Sequence, residues 1–237
     1  MHQNSIGNSN VAAAASFATI GSAPALTFAT SVQSTPSGST ATATGVSIGS
    51  AFSTRLVIVM WRRNFNQTMT SATIGGVACS GATGGMVDHQ DTTGNGGDQG
   101  VFWALVPTGT TATIVLTNSG TFFSTPHFTV YTVDSAFLSS TTPVTSFTMG
   151  GGPNTGLTAT VNVLAGGFVL VGYEDNAGSG GNPGVTSSPT LTADTNIFDS
   201  SSGISLSAQS MSAATPFSAA FTYTTSSKIT VQMAAWR

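Results

Sequence analysis

Charge is what this sequence has least of. Lys, Arg, Asp and Glu make up 5% of 237 residues, five basic against eight acidic, where a soluble chain usually carries about a quarter. With a formal net charge of −3 and no basic patch beyond Arg62-Arg63, the chain lacks the phosphate-neutralising cations that a nucleic-acid binder needs. Cysteine is nearly absent as well. Cys79 is alone, so no intramolecular disulfide can form. No Lys or Arg precedes Arg55, so the Ala-rich start has no positive n-region and does not read as a secretory signal. The expectation is synthesis in a cytosol without export by that route. The longest apolar runs are too short to span a bilayer as a helix, and no membrane partner is expected. Helix signals are missing from every window.

Hydroxyls and glycine fill the space. There are 39 Thr, 32 Ser and 28 Gly, so polarity comes from hydroxyls and amides, not ions. Apolar residues still make up 40%, with 14 Phe, which is enough to bury a core and unlike a disordered chain. Thr, Val and the aromatics favour strands, and Gly, Pro, Asn and Ser punctuate them. Candidate strands include Ala25 to Thr30, Val46 to Ile48, Arg55 to Trp61, Ser71 to Ile74, Val77 to Ser80, Val101 to Val106, Ala112 to Thr117 and His127 to Val133. Leu157 to Val163 alternates cleanly, with Thr158, Thr160 and Asn162 on its other face. Phe168 to Tyr173, Thr190 to Ala193, Ile204 to Ala208, Phe217 to Thr224 and Lys228 to Trp236 follow. About a dozen short strands with no crossover helices predict an all-β, antiparallel β-sandwich, jelly-roll-like or immunoglobulin-like. No sequence repeat stands out.

The organisation expected is an extended arm over residues 1–23 and a single β-sandwich domain over 24–237. The arm is small and uncharged, and Ile6, Val11, Phe17 and Ile20 are its only sizeable apolar side chains. They are candidate interface anchors on a neighbouring subunit. Arg55, Arg62 and Arg63 flank the most apolar run of the chain, Leu56 to Trp61. Both faces of that strand are apolar, which predicts a central strand covered on both sides, with a third layer supplied by a long loop or another subunit. Arg62 and Arg63 point to opposite faces at the strand's exit. They are expected to reach water or a carboxylate and are candidate interface residues.

Chemistry-bearing residues are scattered. His2, His89 and His127 form no motif. Gly81 to Gly100, with Asp88, His89, Asp91 and Asp98, reads as a long glycine-rich surface loop. Its oxygens suit Ca²⁺ in kind but match no calcium-loop spacing. Glu174 is the only Glu, and neighbouring Asp175 points to the opposite side of a strand, so the facing carboxylates of a glycosidase are not indicated. No nucleophile elbow, P-loop or zinc-helix motif occurs. No catalytic residue, cofactor or metal is therefore expected. Cys79 has no charged sequence neighbour and reads as a small buried side chain. Trp61, Trp103, Trp236, Tyr131, Tyr173 and Tyr223 could line a sugar platform, but strand aromatics are more often core.

Several stretches fall in a recurring order: RLVIVMWRR (55–63), TIGGVACSG (73–81), VFWALVPTGTTATIVLT (101–117), FTVYTVD (128–134) and the ending VQMAAWR (231–237). Together they resemble β-sandwich structural proteins of tailed phages and prophages, mainly over 53–134. The resemblance implies a non-enzymatic virion component, such as a head decoration, fibre or tail/baseplate part. Its partners would be itself and other capsid or tail proteins. The resemblance carries no site residues. The alternative is a carbohydrate-binding module or adhesin contacting host-surface glycans.

Overall fold

A computed structural model describes residues 25–64, 67–89, 97–122, 125–150, 157–175, 184–188, 190, 192–199, 204–212, 217–224 and 229–237. The arm anchors Ile6, Val11, Phe17 and Ile20 lie outside them. Every sheet pairing among the described residues is antiparallel, as expected, and the helical content is two 3₁₀ turns.

The first ten strands are β1 (Thr27–Gln33), β2 (Thr35–Ser37), β3 (Thr40–Ser47), β4 (Arg55–Asn64), β5 (Met69–Ile74), β6 (Val77–Ala78), β7 (Gly84–His89), β8 (Gly97–Leu105), β9 (Thr111–Asn118) and β10 (His127–Asp134). They form two sheets, ordered β1-β10-β4-β8-β7 and β2-β3-β9-β5-β6. The pairs β1·β10, β3·β9, β4·β8 and β5·β6 nest one inside the next. A long hairpin rolled up in this way, with its strands shared between two sheets, is a jelly roll, which decides between the two sandwich types expected. Strands β2 and β7 are additions at the edges. The tip of the roll is the Gly75-Gly76 turn, with Ile74 opposite Val77. Both glycines have positive φ, 60° and 80°, as a tight two-residue hairpin turn requires.

Eight more strands follow: β11 (Val144–Gly150), β12 (Leu157–Val163), β13 (Phe168–Asp175), β14 (Gly184–Ser188), β15 (Thr192–Asp199), β16 (Ile204–Ser212), β17 (Phe217–Thr224) and β18 (Ile229–Trp236). Their sheets run β11-β18-β13-β16-β15 and β12-β17-β14. The nesting repeats in β11·β18, β12·β17 and β13·β16. The chain therefore winds the same roll twice, a repeat written in topology and not in sequence. Among the described residues there are eighteen strands, and they form the antiparallel sandwich expected, here as two packed rolls.

The two rolls pack face to face. Leu56, Ile58 and Met60 of β4, Val101 and Trp103 of β8, and Tyr131 and Val133 of β10 share one core with Phe168, Leu170, Ala234 and Trp236. Trp236 stacks on Phe168 at 5.2 Å and meets Trp103 edge-on at 6.1 Å. The opposite face of β4, with Val57, Val59 and Trp61, packs into the first roll's own core. The third layer over this doubly apolar strand is thus the same chain's second roll. It is neither a loop nor a neighbouring subunit. On the outward side of the first roll, Ser37, Thr40, Thr117 and Ser71 stand in one cross-strand row, so hydroxyls do the solvating work that charge does elsewhere.

Candidate functional site

Most of the polar residues singled out in the sequence lie buried or bonded to backbone where they are described. Arg55 is 0% exposed and donates to six backbone carbonyls. Nε reaches Val106 O at 2.7 Å, Nη1 reaches Ile48, Gly49 and Ser50 at 3.2, 2.9 and 2.9 Å, and Nη2 reaches Thr108 and Gly109 at 2.7 and 2.9 Å. One guanidinium thereby clamps the loop entering β4 to the loop leaving β8. Desolvation lowers its pKa from the ordinary arginine value, yet the group stays cationic, because arginine is not deprotonated in proteins.

Arg62 is also 0% exposed, so of the two surroundings expected at a strand exit, water or a carboxylate, water is ruled out. It lies in a row that crosses the whole sheet, Gln33–His127–Arg62–Gln99–His89. The row faces the second roll, since Gln99 Nε2 donates to Thr230 O at 2.7 Å and to its hydroxyl. The strand's exit is capped by the second roll, so its end is as dry as its middle. Burial lowers the pKa of His89. Backbone register sets Asp98 across from Arg63, whose side chain lies outside the described residues.

The expected loop 81–100 is mostly not a loop. Gly84–His89 and Gly97–Leu105 are strands, and residues 90–96, including Asp91, lie outside the description. Tryptophans explain the glycines there. Gly100 sits directly across from Trp61, and Gly85 across from Trp103. Asp98 accepts the Gln67 amide at 2.8 Å, and Asp88 accepts the Met69 amide at 2.7 Å. Both carboxylates hold the entry to β5. Among the described residues no three His, Cys, Asp or Glu converge as a metal site. Glu174 and Asp175 lie in β13 opposite Thr230 and Ile229, and their side chains are outside the described set. Trp61, Trp103, Trp236 and Tyr131 are buried, so these four form core and not a sugar platform. The side chains of Tyr173 and Tyr223 are not among those described. The Tyr131 hydroxyl donates to Asp194 Oδ2 at 3.1 Å across the two rolls, and burial together with that carboxylate drives its pKa up.

Cys79 is buried in the first roll's core, and desolvation pushes its thiol up to about 12. At about pH 8 the thiolate fraction is then on the order of one in ten thousand. Iodoacetamide is expected to leave the native protein unlabelled by mass spectrometry and to label it fully in guanidinium. Labelling of the native protein at the denatured rate would show that the site opens.

One concave site stands apart from this scaffolding. A groove of about 500 Å³ runs between the turn before β4 and the end of β10, lined by Phe52, Thr54, Thr27, Thr132, Asp134 and Phe137, among others. Phe52 and Phe137 are 36% and 49% exposed, two of the few exposed large apolar side chains among the described residues. Its walls are fixed. Asp134 Oδ1 accepts both the Thr54 hydroxyl and the Ala136 amide, and Ser135 bonds the Thr54 carbonyl through its amide at 2.9 Å and its hydroxyl at 2.8 Å. Behind one wall stands the Arg55 clamp. Sequence reasoning missed this groove, because its residues come from two turns and a strand end. The available signal was Asp134 closing FTVYTVD with an aromatic three residues on.

No family model, curated protein or solved structure matches the chain.

Proposed function

We propose that the chain is a non-enzymatic structural protein of a phage virion, a head decoration, fibre or tail/baseplate component that binds the particle and itself through sandwich surfaces. The observation that supports this reading is the double jelly roll, in which the buried charged and amide groups described above hold strands and loops in place. Jelly rolls are a scaffold of viral capsid and lectin domains. A chain with 5% charge also has little to keep it apart from its neighbours in solution. The doubly apolar strands do not add to the case for self-association, since the chain covers them itself.

Light scattering tests the self-association arm. The purified protein is expected to show a mass above one 23.7 kDa chain. A stable monomer at high concentration in physiological buffer overturns it. Immunogold imaging of purified particles tests the virion arm, and particles that carry none of the chain overturn that.

A further inference from the structure

We propose that the groove between Phe52 and Phe137 binds an organic ammonium group, with Asp134 as its counter-ion. The inference does not depend on the virion role.

Three observations point to this chemistry. First, the groove has one carboxylate and no cation among its described lining residues. Asp134 Oδ1 is occupied by Thr54 and Ala136, while Oδ2 has no hydrogen-bond partner among the described residues. An oxygen held in place with an open acceptor face calls for a donor or a positive charge. The guanidinium of Arg55, which stands across from Asp134 in the strand pairing, cannot supply it, because its donors are taken up by six carbonyls. Second, the carboxylate shares the groove with two partly exposed phenylalanines. Aromatic faces attract alkylammonium groups through the ring quadrupole, and aromatic cages are the recurring way proteins hold them. Third, the site is built before the ligand arrives. The Thr54–Asp134–Ser135 bonds and the Arg55 clamp fix both walls, so little ordering is left to be done on binding.

The same features argue against other occupants. An anion would meet a carboxylate with no compensating cation. A metal ion would find a single carboxylate where hard cations gather six or more oxygens. A volume of about 500 Å³ falls in the range of small-molecule sites, so the ammonium would be the head of a larger body.

The test uses the full chain, with choline and tetramethylammonium as probes and 3,3-dimethylbutan-1-ol as the neutral carbon analogue of choline. Titration at low salt, read by protein NMR or calorimetry, is expected to give a choline Kd on the order of a millimolar. The neutral analogue should bind at least about fivefold more weakly. Asp134→Asn keeps the oxygen that accepts from Thr54 and Ala136 but removes the charge. It should bring choline down to the level of the neutral analogue, with the melting curve unchanged. Phe137→Ala should weaken choline by about the same factor. Equal affinity for choline and its analogue would show an apolar groove with no counter-ion role. Choline affinity unaltered in Asp134→Asn, or no binding of either ammonium at about ten times the expected Kd, would overturn the proposal outright.

Discussion

Arg55→Met is expected to melt about 10 °C or more below the parent protein. The substitution keeps most of the volume and removes every donor. Six carbonyls of the 48–50 and 106–109 segments then lose the partner that holds them. A buried polar group left without its partner costs about 1–3 kcal/mol, and breaking a buried charged constellation costs about 3–5 kcal/mol. The lower total is the sounder one, since loops freed from the clamp can turn some carbonyls to water. At about 2–4 °C per kcal/mol for a chain of this size, the expected shift follows. Arg55→Lys should fall between, because an ammonium offers three donors from one point where the guanidinium fans five across two loops. Differential scanning calorimetry of the three proteins decides the matter. A melt of Arg55→Met within about 2 °C of the parent would mean that the two loops hold themselves.

A second large loss is expected from Gly100→Ala, the addition of one methyl group. A Cβ there would lie 2.2 Å from Trp61 Nε1, 2.6 Å from its Cε2 and 2.6 Å from the Val87 carbonyl. The indole is 1% exposed with the first roll's core around it, and the carbonyl belongs to the paired strand β7. Neither can withdraw alone. Overpacking of a tight core costs about 1–3 kcal/mol and occasionally more, and two immovable neighbours place this case at or above the upper end. Gly172→Ala provides the comparison. Its Cβ would meet Gln99 Oε1 and Met60 Cε, both at 3.2 Å, so a shift of a few tenths of an ångström suffices, which the flexible Met60 end can make and Gln99, held by Thr230, must share. Urea titration should show Gly100→Ala losing about 3 kcal/mol and Gly172→Ala about 1 or less. Equal losses in the two variants would mean that Trp61 has room to move.

These glycines also mark where the sequence could and could not be read. Leu157–Val163 and Phe217–Thr224 are strands over the residues expected, because each carries its own evidence of alternation or β-branched and aromatic content. Strand β3, TATATGVS, was seen only at its end, from Val46, and strand β7, GGMVDH, went unseen. Alanine and threonine give weak contrast between faces, and glycine reads as a turn when nothing shows that a tryptophan lies across from it. That contact is set by β4–β8 and β7–β8 pairing, which is long-range information. The two-sided burial of Leu56–Trp61 was legible as a pattern, but the identity of its cover was not. The face of one roll is matched to another roll more than a hundred residues away in the chain. Arg55 was visible as an anomaly in a chain poor in charge. Its partners are carbonyls, which every residue carries and no sequence advertises. The groove was illegible for a related reason, since Phe52, Asp134 and Phe137 meet only when β1, β4 and β10 are side by side.

The stacking of the rolls has a consequence for growth beyond one chain. Sheet β1-β10-β4-β8-β7 lies on β11-β18-β13-β16-β15 with the strand order reversed. Strand β4 meets β13 and β16, β8 meets β13 and β18, and β10 reaches β15 through Tyr131 and Asp194. That is the approximate geometry of a two-fold dimer made within one polypeptide. The surface on which a lone roll would pair with its own copy is consumed before any second molecule arrives. What remains outside is unequal at its two ends, with five strands on one outer sheet and three on the other among the described residues. A contact that joined these two unlike surfaces would be head-to-tail, and joining of that kind closes into rings or runs on as filaments instead of stopping at two.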